Sequence, residues 1–138
     1  MQTHCLRLTP GQDLKRELDG LIENRKWPAA CVVTGIGSLR TAAIRFAEAE
    51  TAEILEGPFE IISLGGTLSR DGSHLHILVS DHHGMAKGGH LKEGAIINTT
   101  AEIVLGILPE WEFTRKLDPE TGCAELTVEE LPAARNTS

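Results

Sequence analysis

The sequence lacks several features that would place it in familiar classes of protein. Its 138 residues include no tyrosine and three cysteines, Cys5, Cys31 and Cys123, which form no CxxC pair. An odd number of widely spaced cysteines argues against a disulfide framework and against a thiolate zinc site. No apolar run approaches the ~18 residues of a membrane-spanning helix, and no signal segment opens the chain. We therefore expect a cytoplasmic protein with no membrane association.

Concentrated positive charge is also missing. The chain has 20 acidic and 13 basic residues, a net charge of −7, and its lysines and arginines are scattered. Proteins that bind the DNA backbone need a basic surface, because phosphate neutralisation supplies most of their non-specific affinity. The catalytic motifs GxSxG and HExxH and the P-loop are absent too. The sequence therefore disfavours direct DNA binding and carries no common hydrolase or nucleotide-binding signature.

One helix stands out among the segments that are present. It is predicted at about residues 10–26, with Thr9 as a possible cap and Leu14, Leu18, Leu21 and Ile22 on one apolar face. It should end at Trp27, because the residue before a proline avoids the helical region.

Short strands account for most of the remaining chain. They are predicted at residues 4–8, 30–34, 39–46, 59–69, 73–80, 85–91, 96–108, 111–117 and 123–129. Gly35–Ser38 is predicted to be a bend, a bulge or a close backbone approach, and Gly57-Pro58 a turn. One helix with many strands and no regular βαβ alternation indicates an α+β fold with a mainly antiparallel sheet. The length suits one domain, which we place at residues 1–131, with 132–138 as a flexible tail.

Five of the six histidines fall between His74 and His90. His74 and His76 are two residues apart in a predicted strand, so they point to the same face, ~6–7 Å apart. If the chain turns back at residues 81–84, pairing His90 with His74 or with His76 puts all three imidazoles on one face. Pairing His90 with Leu75 puts it on the opposite face. Two of the three simplest registers therefore create a cluster.

Three neutral imidazoles are a common zinc ligand set that leaves a fourth position open. Copper, iron and nickel also accept imidazole, so the ligand type does not identify the metal. We expect zinc, because of its availability, or another divalent transition metal. Hydrolytic chemistry at such a site needs a nearby carboxylate base, for which Glu102 is a candidate. The alternatives are a polar or pH-sensitive patch for the histidines and a solvent-facing edge glutamate for Glu102. His82 and His83 are interpreted as solvated turn residues.

Four segments, in order, resemble a known family, the plants-and-prokaryotes-conserved (PPC) domain of bacteria and of plant AT-hook nuclear proteins. They are GPFEIISLGG at 57–66, SHLH at 73–76, GGHL at 88–91 and TTAE at 99–102. The resemblance extends from the first strand to about Glu129. It implies a sheet of about seven strands and a homotrimer, and it implies that His74, His76 and His90 match suspected metal ligands.

The plant proteins contact DNA through basic AT-hook segments, and this chain has none. Our first hypothesis is therefore a homotrimeric module whose three-histidine metal site binds or acts on a small molecule. The alternative is a DNA-binding, transcription-accessory or oligomerisation module without catalytic activity. The sequence does not decide whether the protein is an enzyme.

Overall fold

Eight strands and one helix make up the secondary structure of residues 1–133, the part of the chain that this computed structural model describes. The elements are β1 Gln2–Leu8, α1 Leu14–Arg25, β2 Ala30–Arg45, β3 Glu53–Ser69, β4 Gly72–Ser80, β5 Ala86–Leu91, β6 Ile96–Ile107, β7 Trp111–Leu117 and β8 Ala124–Glu130. The α+β class and the mainly antiparallel sheet are confirmed, with eight strands where the resemblance implies about seven.

Six strands form one sheet in the order β1-β6-β2-β3-β4-β5, and every pairing between them is antiparallel. The end of β2 also pairs with β5, through Ile44 opposite Leu91 and Arg45 opposite His90. This extra pairing closes β2, β3, β4 and β5 into a ring. We call strands β1 to β6 the barrel.

The helix begins later than predicted. Asp13 is its N-cap, because the Asp13 carboxylate accepts a hydrogen bond from the backbone N–H of Arg16 at 3.1 Å. The same carboxylate also accepts a hydrogen bond from the backbone N–H of Gly94 at 2.7 Å, outside the helix. Thr9 and Gln12 form a turn before the helix, with the Thr9 N–H donating to Gln12 Oε1 at 2.8 Å. The helix ends at Arg25, just before Trp27 as predicted.

Gly35–Ser38, predicted to be a bend, a bulge or a close approach, lies inside the long strand β2, and the turn predicted at Gly57-Pro58 lies inside the long strand β3. The β2–β3 register shifts between Leu39, which pairs with Phe59, and Thr41, which pairs with Glu56. Gly57-Pro58 therefore forms a bulge in β3 instead of a turn. A glycine is required at Gly37, where φ is +152° and a Cβ atom would lie 2.1 Å from the backbone oxygen of Thr100. The glycines here allow strands to approach closely and do not end them.

The core lies inside the curved sheet, under the helix. β4 alternates strictly, with Leu75, Ile77 and Val79 buried inside and His74 and His76 on the outer face. The apolar side of the helix joins the same core through Leu14, Leu18 and Ile22. Burial of the alternate residues of β4 thus fixes which face of the barrel carries the histidines.

Strands β7 and β8 form a separate two-stranded sheet, the β7–β8 hairpin. The Phe113 N–H donates to the Pro28 carbonyl at 3.0 Å, and the Arg115 N–H donates to Asp71 Oδ2 at 3.0 Å. Arg70 and Glu112 add an ion pair at 3.0 Å. These contacts hold the hairpin against the barrel, beside β3 and the turn between β3 and β4.

Among the described residues, no helix is both long enough and apolar enough to cross a membrane. Pro132 and Ala133 are exposed and have no regular secondary structure, whereas the rest of the predicted tail, residues 134–138, lies outside the described residues.

Candidate metal centre

The three predicted histidines lie together on the outer face of the barrel. His76 is paired directly with His90 across β4 and β5, which is one of the two registers that cluster the imidazoles. The ring centroids are 5.0 Å apart for His74 and His76, 5.3 Å for His74 and His90, and 4.7 Å for His76 and His90. The chain therefore brings the whole predicted set together.

The donor atoms fit a small metal ion. One ring nitrogen from each histidine lies within 4.8 Å of those of the other two. Around a tetrahedral zinc ion with Zn–N bonds of ~2.0–2.1 Å, the ligand nitrogens lie ~3.4 Å apart. Small rotations of the histidine side chains would bring the nitrogens from their present separations to those around a zinc ion. Three imidazoles without a thiolate suit zinc, copper, nickel or iron, so the donor set could hold a divalent transition metal.

The surroundings of His74 and His90 favour the neutral form of these two histidines. Burial lowers the pKa of His74 most, and the charges of His76, Arg115 and Lys92 lower it further, against an opposing effect of Glu125. Burial also lowers the pKa of His90, followed by the charge of Arg45 and then by the other two histidines and Lys92. Neutral imidazole is the form that binds a metal, so these shifts favour binding.

The turn between β4 and β5 fixes the register that aligns His76 with His90. Asp81 Oδ1 accepts hydrogen bonds from the backbone N–H groups of His83 and Met85, both at 2.9 Å. The Met85 bond is the main reason that the pKa of Asp81 is lowered. A register slip of one residue would move His90 to the other face of the sheet.

Two glycines near the site let neighbouring strands approach closely, and a third leaves open space. At Gly89, a Cβ atom would lie 2.7 Å from the backbone oxygen of Arg45. At Gly66, where φ is +137°, a Cβ atom would lie 2.0 Å from the backbone oxygen of His74. Gly65, which is opposite His76, has no such neighbour within 4 Å and leaves space beside that imidazole.

Two adjoining cavities, of ≈ 440 and ≈ 320 Å³, open between the histidine face and the β7–β8 hairpin. His74, Arg115 and Glu125 line both of them. The larger cavity also includes His76, and the smaller one includes His90 with further charged residues. The site is therefore built from the barrel on one side and from the hairpin on the other.

Five charged residues of these cavities were not predicted as site residues: Arg45, Asp71, Lys92, Arg115 and Glu125. The pattern of β2 held a signal for Arg45, a charge within a strand whose neighbours Ala43 and Ile44 are buried. The sequence held none for Arg115 and Glu125, since their position depends on how the hairpin docks.

Glu102 lies elsewhere. It is exposed on β6, opposite Ile36 of β2 and Arg7 of β1. It lines a separate cavity of ≈ 430 Å³ that shares no residue with the two histidine cavities. His82 and His83 are exposed in the turn, as predicted.

Comparisons with known proteins agree with this fold. The family model of the Plants and Prokaryotes Conserved (PCC) domain matches residues 1–109. A structure of a hypothetical protein from Salmonella cholerae-suis is 39% identical, with a TM-score of 0.91 and 94% of each chain covered. A metal-containing protein from Archaeoglobus fulgidus is 30% identical, with a TM-score of 0.77, over 92% of this chain and 94% of that one.

A curated relative extends further than this chain. The bifunctional protein GlmU of Synechococcus sp. (strain JA-2-3B'a(2-13)) is 44% identical over 129 residues, which are 94% of this chain and 20% of the relative. The chain thus spans about a fifth of the length of the curated relatives it matches. The match to the domain model covers most of the chain, and the chain belongs to the Plants and Prokaryotes Conserved domain family.

Proposed function

We propose that this protein is a metal-binding PPC domain in which His74, His76 and His90 hold a divalent transition metal, zinc first among them, and a small molecule binds beside it. The observation that carries the proposal is the convergence of three ring nitrogens within 4.8 Å on a face that opens into two cavities. When bound, such an ion supplies Lewis acidity toward a ligand oxygen or a water.

Two further observations support a metal. The lowered pKa values of His74 and His90 leave both imidazoles neutral near pH 7, ready to donate a lone pair. The Archaeoglobus fulgidus neighbour, at 30% identity, is described as metal-containing.

Glu125 is better placed than Glu102 to be the carboxylate of this site. It lines both histidine cavities, and its charge acts on His74. A base that takes a proton from a bound water must lie beside that water. Glu102 lines a different cavity of the same chain.

We also propose that the chain assembles as a homotrimer in the cytoplasm. The outer faces of β2 and β3 support association, since Val33, Ile36 and Ile62 are each more than half exposed. The number three comes from the family resemblance, and the three free cysteines suit a reducing compartment. The exposed apolar face also favours the second candidate function, an oligomerisation or transcription-accessory module without catalysis, whereas the net charge of −7 disfavours DNA binding.

Metal analysis of the full chain, purified without a polyhistidine tag, tests the proposal. We expect the wild type to retain one equivalent of metal per chain after loading and dialysis. Substitution of a residue that only supports a metal ligand typically lowers metal affinity by up to about 100-fold. Because His76→Ala removes a proposed ligand itself, we expect it to lower the affinity by more than that. His82→Ala is the control, because it removes an exposed histidine from the turn. A wild type that retains no metal, or a His76→Ala variant that retains it fully, would overturn the metal site and leave the oligomerisation module.

A further inference from the structure

Three positively charged side chains converge on the smaller histidine cavity. Arg45 from the end of β2, Lys92 from just after β5 and Arg115 from β7 line it together with His74 and His90. They come from three separate parts of a chain that has 13 basic residues and a net charge of −7. Cations brought together against the overall charge of a protein mark a place where negative charge is expected.

These cations form no salt bridge with the described residues. Among the ion pairs formed by residues 1–133, none includes Arg45, Lys92 or Arg115. Arg45 Nη1 donates to the Ala49 carbonyl at 3.1 Å, and Arg115 Nη2 donates to the Thr67 hydroxyl at 3.1 Å. Each guanidinium has five N–H donors, so most of them remain available to a ligand.

The two carboxylates of the cavity already have hydrogen-bond partners. Asp71 Oδ2 accepts from the Arg115 backbone at 3.0 Å, and Glu125 Oε1 accepts from the Thr121 hydroxyl at 3.1 Å. Three cations and two carboxylates leave a charge of +1 in the cavity, and a divalent ion on the histidines would bring it to +3. A neutral ligand would leave this charge uncompensated.

We propose that this cavity binds a small molecule with two or more negative charges, held through carboxylate or phosphate oxygens by Arg45, Lys92 and Arg115 next to the metal. This inference deepens the proposed function and rests on it for the position of the metal. Arginine suits such a ligand because its planar fork donates two parallel hydrogen bonds to a carboxylate or a phosphate. The cavity volume of ≈ 320 Å³ is near the lower end of small-molecule sites, about 300–1,000 Å³.

Calorimetric titration with inorganic phosphate and with succinate tests this inference on the full chain, both metal-free and loaded with cobalt(II). We expect at least one of the two probes to bind at one per chain, more tightly in the loaded form. Arg115→Gln and Arg45→Gln should each weaken binding about tenfold or more, because each loses a charge-assisted contact. Arg70→Gln is the matched control, since Arg70 pairs with Glu112 and lines neither cavity. Phosphate alone would identify a phosphorylated ligand, and succinate alone a carboxylic acid.

Two results would overturn the inference while the metal site stands: neither probe binds to protein that holds its full metal equivalent, or both arginine variants bind the probe as the wild type does. In the second case the anion contacts the metal alone. If the protein holds no metal but binds a probe with the same dependence on Arg115, the anion site stands and the proposed metal function fails.

Discussion

The barrel and the β7–β8 hairpin contribute to one site in different ways. The barrel and its helix supply every residue of the continuous hydrophobic core except Ala95, which lies in the loop before β6. Among the described residues, the hairpin has one buried apolar side chain, Phe113. All three clustered histidines are in the barrel. Arg115 and Glu125, which face them, are in the hairpin. The proposed metal ligands thus lie on the part of the molecule that contains the core, and two of the charges around them lie on the part that contributes little to it.

The family match divides the molecule at the same place. It covers residues 1–109, which include the barrel and end before Trp111, the first residue of the hairpin. Catalytic and binding groups are often carried by peripheral segments on a rigid scaffold, because such segments can vary without loss of the core. Under the proposed function, the barrel holds the metal and the hairpin contributes to the choice of ligand.

The largest expected effect separates the two regions by stability. Leu105→Ala in β6 removes a fully buried side chain, so we expect a loss of about 2–5 kcal/mol in the free energy of unfolding. Val128→Ala in β8 truncates a side chain that is 51% exposed, and its effect should stay within about 0.5 kcal/mol. Urea denaturation followed by circular dichroism measures both. Equal losses in the two variants would mean that the hairpin is as much a part of the core as β6.

A smaller effect tests how the hairpin is attached. Asp71→Ala removes the carboxylate that accepts the Arg115 N–H at 3.0 Å. Because one hydrogen bond contributes about 0.5–1.5 kcal/mol, protection of the hairpin amides from hydrogen exchange should fall about 2–10-fold. Barrel amides should keep their protection.

The control for this experiment is Asp71→Asn, which keeps an oxygen acceptor at the same position and should retain most of the protection. Unchanged exchange in Asp71→Ala would show that the hairpin is held by its other contacts, such as that of Phe113 with Pro28.

The sequence predicts the barrel side of the site well, because local patterns determine it. Strict alternation in β4 places His74 and His76 on one face, and the turn after Ser80 limits the register of His90 to a few choices. The turn predicted at Gly57-Pro58 was wrong, since glycine signals a turn and a close strand contact equally well. At Gly35–Ser38 the close backbone approach, one of the three predicted alternatives, is the one present at Gly37.

The hairpin side of the site could not be predicted from local patterns. The turn at residues 118–122 predicts a hairpin, but nothing in it says which face of the barrel the hairpin will cover. That choice depends on tertiary contacts such as those of Arg115 with Asp71 and Thr67. The sequence therefore gives no sign of Glu125, whereas Glu102 is a candidate because it is a charge among apolar strand residues.

The smallest expected effect is a pH dependence that joins the two regions. His74 and His90 both have a pKa below the ordinary value of 6.5 in the folded chain, chiefly through burial. Below pH 6.5 the unfolded chain therefore binds more protons than the folded one, and the metal-free protein should lose stability as pH falls from 6.5 toward the folded pKa values. Above pH 6.5 this contribution is complete. Arg115 and Lys92 strengthen the effect at His74, as Arg45 and Lys92 do at His90, while Glu125 opposes it at His74.

Thermal unfolding of the chelator-treated protein between pH 5 and 8 measures this dependence. The midpoint of thermal unfolding should rise with pH up to about 6.5. His90→Gln should flatten this rise because it removes one of the two groups whose pKa is lowered in the folded chain. Arg115→Gln should flatten it slightly, since a hairpin charge that disfavours protonated His74 is lost. His82→Gln, in the exposed turn, should keep the wild-type slope. An Arg115→Gln slope equal to that of the wild type would mean that the hairpin charge does not reach the imidazoles, and that the barrel sets their protonation alone.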